Sequence, residues 1–355
     1  MRRVLILVSA AIACAMISPA RPRPASAARA QAWPPLSSNN QWVMVETDPM
    51  LNHPGGAEDV LAVCRRAKAA GYNGLMLWDA NLWERQLPPG YLENAETLKA
   101  GLHDLGFTLM IEMCPRGIHV AQWSGDETMC EPRPANPHPE EKDYRYFCMA
   151  HPGVIGVWEE QIKRAEQIYH PLGWLLQYDE IRVAGIDERC RASGKSPGQL
   201  LRENVQKTVA MVRRTTPGRV IAVWSDMFDP YFNATSKHYY HVNGSLTAAA
   251  GAVDRDVLIL SWNDKPVSYG YWANRGNKQI VPLCFDHDDL TINQEESLVR
   301  QAKRYGGSFV GWMYSTWKRR YDEVERYGMT FGRGVRAFEG RHDRRASAPS
   351  LGFAF

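Results

Sequence analysis

Eight apolar, β-rich runs, each followed by a stretch that can form a helix, dominate this 355-residue sequence. Near-continuous apolar strands alternating with helices predict a parallel sheet that is covered on both faces. Because eight such units close a barrel, we predict an α/β fold, a (β/α)8 TIM barrel in a single catalytic domain, with a doubly wound open sheet as the alternative. The predicted strands are 41–46, 72–78, 107–113, 174–178, 220–224, 257–262, 279–285 and 308–313.

The connections between these strands are unequal in length. Helices are predicted near 154–169, 200–214 and 294–305. The connection between the sixth and seventh strands is short and contains Pro266, so we expect its helix to be reduced or absent. A long insertion rich in Pro and Cys, at about 116–150, precedes the fourth strand. Because long ordered loops in compact domains are usually functional, we expect it to form a rim over the mouth of the barrel.

The two ends of the chain differ in composition from the barrel, which we assign to residues 31–332. Residues 1–30 have a basic start, an apolar run shorter than the roughly 20 residues of a membrane span, and an Ala-rich end. They are predicted to be a secretory signal, with lipoprotein cleavage at Cys14 as the alternative. Residues 333–355 are predicted to be a disordered basic tail. We therefore expect a secreted or periplasmic protein with no membrane association after signal cleavage.

The charge and the cysteine content limit the kinds of binding partner and the cellular compartment that we expect. The leader holds five Arg and no acid, so its removal leaves 37 basic against 39 acidic residues, and we expect no nucleic-acid binding. Six Cys remain, an even number that fits disulfides in an oxidising compartment. The sequence has no Cys-x-x-Cys pair, so a zinc ribbon has no support. Cys130 and Cys148 both lie in the insertion, so we expect a disulfide between them.

Acids and indoles gather where the predicted strands end. In a barrel these ends share one mouth, which is where enzymes of this architecture have their active sites. Carboxylates and Trp side chains suit a carbohydrate substrate, because sugar hydroxyls donate to carboxylates and the apolar sugar faces stack on rings. Helix capping by the acids and core packing by the Trp residues are the structural alternatives. The candidate substrate-binding residues are Asp48, Trp78, Asp79, Glu112, Trp224, Asp226, Trp262, Asn263, Asp286, Trp312 and Tyr314, with Glu46, Asp264 and Trp317 beside them.

Asp179 and Glu180 are the candidate catalytic residues. They directly follow the apolar run 173–178. Two neighbouring carboxyl groups in a cleft of low dielectric repel each other, so that one of them tends to stay protonated. A proton held near neutral pH is what a general acid requires.

These motifs resemble glycoside hydrolase family 20, the β-N-acetylhexosaminidases, and within it the hexosaminidase D-like branch. Residues 178–182 (Tyr-Asp-Glu-Ile-Arg) match the Asp-Glu pair after the fourth strand of that family. Residues 224–227 (Trp-Ser-Asp-Met) resemble its Trp-Asp-Asp-Met after strand five, and residues 311–312 (Gly-Trp) and 320–322 (Arg-Tyr-Asp) resemble elements near strand eight. The family usually has an Arg after strand one, where this chain reads Val-Glu-Thr-Asp at 45–48.

The resemblance implies hydrolysis assisted by the substrate itself, with no cofactor and no enzyme nucleophile. Glu180 would protonate the leaving oxygen, and Asp179 would orient the substrate acetamido group, whose carbonyl attacks the anomeric carbon. Tyr314 would hydrogen-bond that acetamido group. The pocket would be walled by Trp224, Trp262 and Trp312.

Three alternatives stay open at this point. A two-carboxylate glycosidase would combine Glu180 with Asp226 or Asp286. A non-catalytic carbohydrate-binding barrel would fit the missing Arg after strand one. A metal hydrolase would use the Asp-His-Asp-Asp run at 286–289, but no second His stands at helical spacing as in His-Glu-x-x-His, so we expect no metal and assign Asp286 to substrate binding.

Overall fold

Eight parallel strands close on themselves at the centre of the computed structural model. The predicted TIM barrel is confirmed, because the last barrel strand pairs with the first, from Asn40 beside Gly311 to Val43 beside Tyr314, and an open sheet has no such pairing. Hydrogen bonds join the eight strands in chain order around the barrel. These strands are β1 (Asn40–Glu46), β2 (Gly74–Trp78), β3 (Thr108–Met113), β4 (Gly173–Leu176), β6 (Val220–Trp224), β8 (Leu258–Leu260), β9 (Gln279–Leu283) and β10 (Phe309–Tyr314).

Part of the chain carries no structural description here. The predicted leader and tail, most of the predicted helix at 294–305, Asp264 and residues 286–289 lie outside the described residues. The insertion is described in part. The structure describes residues 32–37, 40–48, 50–84, 86–113, 126–137, 144–263, 265–283, 304–305, 308–317 and 319–328.

Helices pack around the barrel, and one of them corrects an expectation. The connection between the sixth and seventh barrel strands carries a ten-residue helix, so the prediction of a reduced or absent helix is wrong. Pro266 stands at its first position, where the missing N–H removes no hydrogen bond, and Gly276 ends it with φ 90°. None of the helices described is both long and apolar enough to cross a membrane. The helices are α1 (Gly56–Ala69), α2 (Tyr91–Asp104), α3 (Val154–Tyr169), α4 (Glu188–Ala192), α5 (Pro197–Thr215) and α6 (Pro266–Arg275).

Alternation of side chains along the strands divides the core into an inner and an outer layer. On β10, Met313 joins the inner layer inside the barrel, whereas Trp312 and Tyr314 join the outer layer against the helices. The Tyr314 hydroxyl donates to the backbone carbonyl of Arg320 at 3.0 Å. Both rings are fully buried there. The expectation that Trp312 and Tyr314 face the substrate is therefore wrong.

The insertion and the loops after β4 and β6 form structure outside the barrel. Two short strands, β5 (Val183–Ala184) and β7 (His241–Val242), make a separate parallel pair. In the insertion, Cys130 pairs with Phe147 in an antiparallel bridge. Because neighbouring side chains point to opposite faces, Cys148 turns away from Cys130, so the expected disulfide between these two residues is wrong.

Candidate active site

Four carboxyl groups occupy neighbouring strand ends on one side of the barrel mouth. Glu112 lies on β3, Asp179 and Glu180 follow β4, and Asp226 follows β6. Glu112, Asp179 and Asp226 are buried. Burial raises the pKa of Asp179 well above its ordinary value, and the charges of the other three acids raise it further. Asp179 is therefore held in its protonated form.

The backbone of Glu180 is strained and held by one of its neighbours. Its φ is 44°, in the left-handed region that few residues other than glycine adopt, at a typical cost of about 1 to 3 kcal/mol. The Oδ2 atom of Asp226 accepts a hydrogen bond from the backbone N–H of Glu180 at 3.0 Å and another from Asn233 Nδ2 at 2.8 Å. Strained residues of this kind concentrate at functional sites.

The side chain of Glu180 is partly exposed. It retains 29% of its exposure, which distinguishes it from the three buried acids. The Nη2 atom of Arg182 lies 2.8 Å from its Oε1 atom, and the Arg182 guanidinium in turn lies 4.7 Å from the centre of the Tyr240 ring. Arg182 therefore fixes the direction of this carboxyl group at the entrance.

Glu112 and Trp224 form a buried pair beneath these residues. The Nε1 atom of Trp224 donates to Glu112 Oε1 at 3.0 Å. Burial raises the pKa of Glu112 to about 8, and the Trp224 hydrogen bond offsets only part of that rise. Glu112 is thus largely protonated at neutral pH. The Trp224 ring lies 6.1 Å from Trp317, whose 38% exposure makes it the accessible indole of the two.

The state of Glu112 predicts how stability changes with pH. An unfolded Glu ionises near its ordinary pKa of 4.5, whereas folded Glu112 ionises near 8. Its contribution to stability is therefore complete below pH 4.5 and declines until about pH 8. Glu112→Gln keeps the group neutral, so the variant should lose less stability than wild type between pH 5 and 8, by on the order of 3 kcal/mol. Urea unfolding at both pH values measures the difference, and parallel pH profiles would contradict it.

A second group lies where β1 and β2 end, next to Glu112 on β3. Glu46 and Trp78 stand side by side on these strands, and Trp78 stands beside Glu112 on β3. The Nε atom of Arg319, from the segment after β10, donates to Glu46 Oε2 at 2.6 Å. The Arg319 backbone is also left-handed, with φ 57°. Asp48 lies next to them, and its pKa is raised mainly by burial.

Two predicted binding residues have structural roles instead. Asp79 is fully buried, caps the short helical turn that follows it, and accepts from the Tyr91 hydroxyl at 2.7 Å. The Nδ2 atom of Asn263 donates to Asp229 Oδ2 at 3.0 Å and to Ser268 Oγ at 2.9 Å, which braces the start of α6. The substrate-binding expectation is wrong for Asp79 and Asn263, because local backbone and side-chain groups use their polar atoms.

Trp262 remains close to the acids. Its ring packs edge to face on Phe232 at 4.6 Å. Its side chain hydrogen-bonds to Asp226 and lowers the pKa of that carboxyl, which burial raises to about 6 overall. Trp224 and Trp262 thus both contact members of the acid group, whereas Trp312 packs in the outer core layer.

Sequence reasoning missed several neighbours of Glu180. Tyr146, in the insertion, is near enough for the charges of Glu180 and Asp179 to raise the pKa of its phenol, although burial is the larger cause. Asn233 contacts Asp226 and also donates to the Tyr239 hydroxyl at 3.3 Å. Arg182 alone had a signal, since it stands two positions after Glu180 in the motif. The others belong to loops in which no repeated pattern marks them.

The sequence matches no protein-family model and no protein of curated function. Among solved structures, a β-N-acetylhexosaminidase is similar at 13% identity and a TM-score of 0.57, over 85% of this chain and 76% of that one. The glycoside hydrolase domain of PgaB (BpsB) from Bordetella bronchiseptica is similar at 13% identity and a TM-score of 0.52, over 82% and 98%. The GH5_18 protein from Streptomyces cattleya, solved in complex with GlcNAc, is similar at 11% identity and a TM-score of 0.51, over 88% and 82%. At these identities the likeness establishes the barrel fold.

Proposed function

We propose that the protein is a glycoside hydrolase that removes terminal N-acetylhexosamine sugars, with Glu180 as the general acid and base and Asp179 positioning the substrate acetamido group. The arrangement of Glu180 carries the proposal. It is the accessible acid of its group, and its left-handed backbone is hydrogen-bonded to a buried carboxyl. The barrel fold shared with a β-N-acetylhexosaminidase and with a protein solved in complex with GlcNAc supports the substrate class. Export through residues 1–30 is part of the same proposal.

Glu180 serves both steps of the reaction. In the first step it donates its proton to the leaving glycosidic oxygen, while the acetamido carbonyl oxygen attacks the anomeric carbon and the glycosidic bond breaks. The product of this step is a cyclic oxazolinium ion. In the second step the Glu180 carboxylate takes a proton from the water that opens this ring. The route needs no cofactor and no enzyme nucleophile.

Asp179 is suited to the charge that develops during the first step. Burial and the neighbouring acids hold it in its neutral form while the site is empty of cations. As the substrate acetamido group binds beside it, Asp179 gives up its proton to the solvent, because the positive charge that develops on the acetamido nitrogen strongly favours the carboxylate in a site of low dielectric. The interaction is therefore stronger in the transition state than in the ground state, which is the condition for catalysis.

Asp226 fits a positioning role better than the role of a second catalytic carboxylate. It is fully buried, and its Oδ2 atom already accepts from the Glu180 backbone and from Asn233. A nucleophile or a base must reach the anomeric carbon or a water beside it. Asp286, the other residue of the two-carboxylate alternative, lies outside the described residues.

The residues at the end of β1 and after β10 support sugar binding. Trp317 offers an exposed indole on which a sugar face can stack. The Glu46 carboxylate and the Arg319 guanidinium offer charged hydrogen-bonding groups at the end of β1. The sequence has no Arg after strand one, and Arg319 brings a guanidinium to that place from the segment after β10.

The decisive test compares aryl glycosides that differ only in the 2-acetamido group. We expect kcat/KM to be at least about 100-fold higher for the p-nitrophenyl N-acetylglucosaminide than for the matching glucoside, because only the former carries its own oriented nucleophile. Both anomers should be assayed with the purified mature chain, with and without chelator. Equal rates on the two sugars would favour the two-carboxylate mechanism. Binding without turnover would identify a binding barrel, and loss of activity in chelator would identify a metal hydrolase.

A further inference from the structure

We propose that Cys148 and Cys190 form a disulfide that ties the insertion to the segment carrying the candidate acid. Their Sγ atoms lie 3.5 Å apart, and both side chains are buried in a small cluster of their own. Cys148 stands between Tyr146 and α3, and Cys190 lies in α4, on the connection after β4. A small rotation of the two side chains brings the sulfur atoms within bonding distance.

The carboxylates of Glu131 and Asp187, which neighbour the two thiols, have hydrogen-bond donors other than the thiol protons. Glu131 accepts the backbone N–H groups of Gly185, Ile186 and Asp187 at 2.9, 2.9 and 2.8 Å, in addition to a contact of 3.2 Å from Cys190 Sγ. The Oδ1 atom of Asp187 accepts the backbone N–H of Cys190 at 2.6 Å. Oxidation of the thiols therefore leaves both buried carboxylates with backbone donors, so it creates no unpaired acid.

A divalent cation is the competing occupant of this cluster. Ligand atoms of Glu131, Cys148, Asp187 and Cys190 lie within 4.8 Å of one another. Binding would require both thiols as thiolates beside two carboxylates, which leaves a buried site with excess negative charge. Hydrogen bonding to Cys148, burial and the charge of Glu131 all raise the pKa of Cys190 and oppose that state. A disulfide is neutral, so the cluster favours it.

The bond would act on both sides of the candidate acid. Tyr146 precedes Cys148 by two positions and is close to Glu180 and Asp179. On the other side, Glu131 holds the backbone of residues 185–187, which follow Arg182. A covalent link closes a ring over residues 148–190 that contains Asp179 and Glu180. It restricts this ring in the unfolded chain and limits local opening around the acid pair.

The oxidation is a thiol–disulfide exchange with a small disulfide such as oxidised glutathione. Each cysteine gives up one hydrogen, the Cys148–Cys190 bond forms, the oxidant's disulfide bond breaks, and two molecules of the reduced thiol leave. Oxidants of this class are found in compartments outside the cytosol. The inference thus rests on export and is independent of the glycosidase reaction.

The test uses the mature chain equilibrated with oxidised glutathione and then digested without reduction. We expect one peptide pair linked through Cys148 and Cys190. Dithiothreitol should lower the melting temperature by roughly 5 °C or more and should speed amide hydrogen exchange at residues 180–187. Cys148→Ser and Cys190→Ser should abolish the response to reductant. Cys130→Ser, in the same segment but opposite Phe147, should retain it.

Three results would overturn the inference. They are free thiols at both positions after oxidation, a link from either cysteine to a different partner, and a stoichiometric bound metal that protects both thiols from alkylation. If a serine variant fails to fold, the changes in melting temperature and hydrogen exchange of the wild-type chain with dithiothreitol still decide whether the disulfide forms. None of these measurements uses catalytic activity, so they stand apart from the test of the proposed function.

Discussion

Glu180→Gln should reduce turnover of glycosides with poor leaving groups by roughly 10²- to 10⁴-fold, the usual contribution of acid–base assistance. Glutamine nearly keeps the shape of the side chain but has no proton to transfer. Activated aryl glycosides need less protonation, so their loss should be smaller. Steady-state rates on a series of leaving groups of graded acidity measure this, and the slope of rate against leaving-group acidity should steepen in the variant.

Glu166→Gln is the matched control for Glu180→Gln. Glu166, like Glu180, is paired with an arginine, in this case Arg219, but it lies on α3 in the shell of helices. The control removes one charge and one ion pair away from the mouth, so turnover should stay unchanged. A uniform loss across all leaving groups in Glu180→Gln would indicate a binding role. Unchanged rates would remove Glu180 from the mechanism.

The barrel could be predicted because its signal is repeated and physical. Eight apolar runs must be buried on both faces, and only a covered parallel sheet does that for all of them. The predicted helix at 154–169 coincides with α3, whose apolar face recurs at helical spacing. The acid pair could be located for the same reason, since a polar Asp-Glu directly after a buried run has to lie at a strand end.

Side-chain direction at the strand ends was harder to predict, because a shift of one residue reverses it. The prediction that Trp312 and Tyr314 face the substrate is wrong for this reason, since Met313 between them takes the inner position. The prediction of substrate binding is wrong for Asp79 and Asn263 for a different reason. Short polar side chains beside a helix start bind the nearby backbone and side-chain groups, and composition does not distinguish such a residue from one that binds substrate.

Loop partners could not be predicted at all, since they depend on contacts between residues far apart in the chain. Asn233 reaches Asp226 from its own loop, and Tyr146 reaches the acid pair from the insertion. The Cys148 and Cys190 contact joins residues on different connections, whereas proximity in sequence favoured Cys130. Spacing rules describe a local segment, and these contacts arise only after the barrel closes.

Asp179 differs from Glu180 in its burial and in the acids that surround it. It is buried, and the charges of Asp226, Glu112 and Glu180 all raise its pKa. A buried carboxyl group in that position responds strongly to a new positive charge, because the low dielectric strengthens the interaction. Its contribution should therefore belong to the step in which the acetamido group becomes an oxazolinium ion, whatever the leaving group.

Asp179→Asn should therefore reduce kcat/KM on acetamido sugars by about 10²- to 10³-fold for activated and poor leaving groups alike, the usual effect of losing one electrostatic contact to a developing charge. The leaving-group series used for Glu180 measures it, and the two variants should give different slopes. Asp79→Asn is the control, because Asp79 is also a buried acid whose pKa burial raises, to about 6, and its loss should lower the melting temperature without selective loss of turnover. A loss in Asp179→Asn that grows with poorer leaving groups would mean that Asp179 supplies the proton, and the roles of the two acids would then be exchanged.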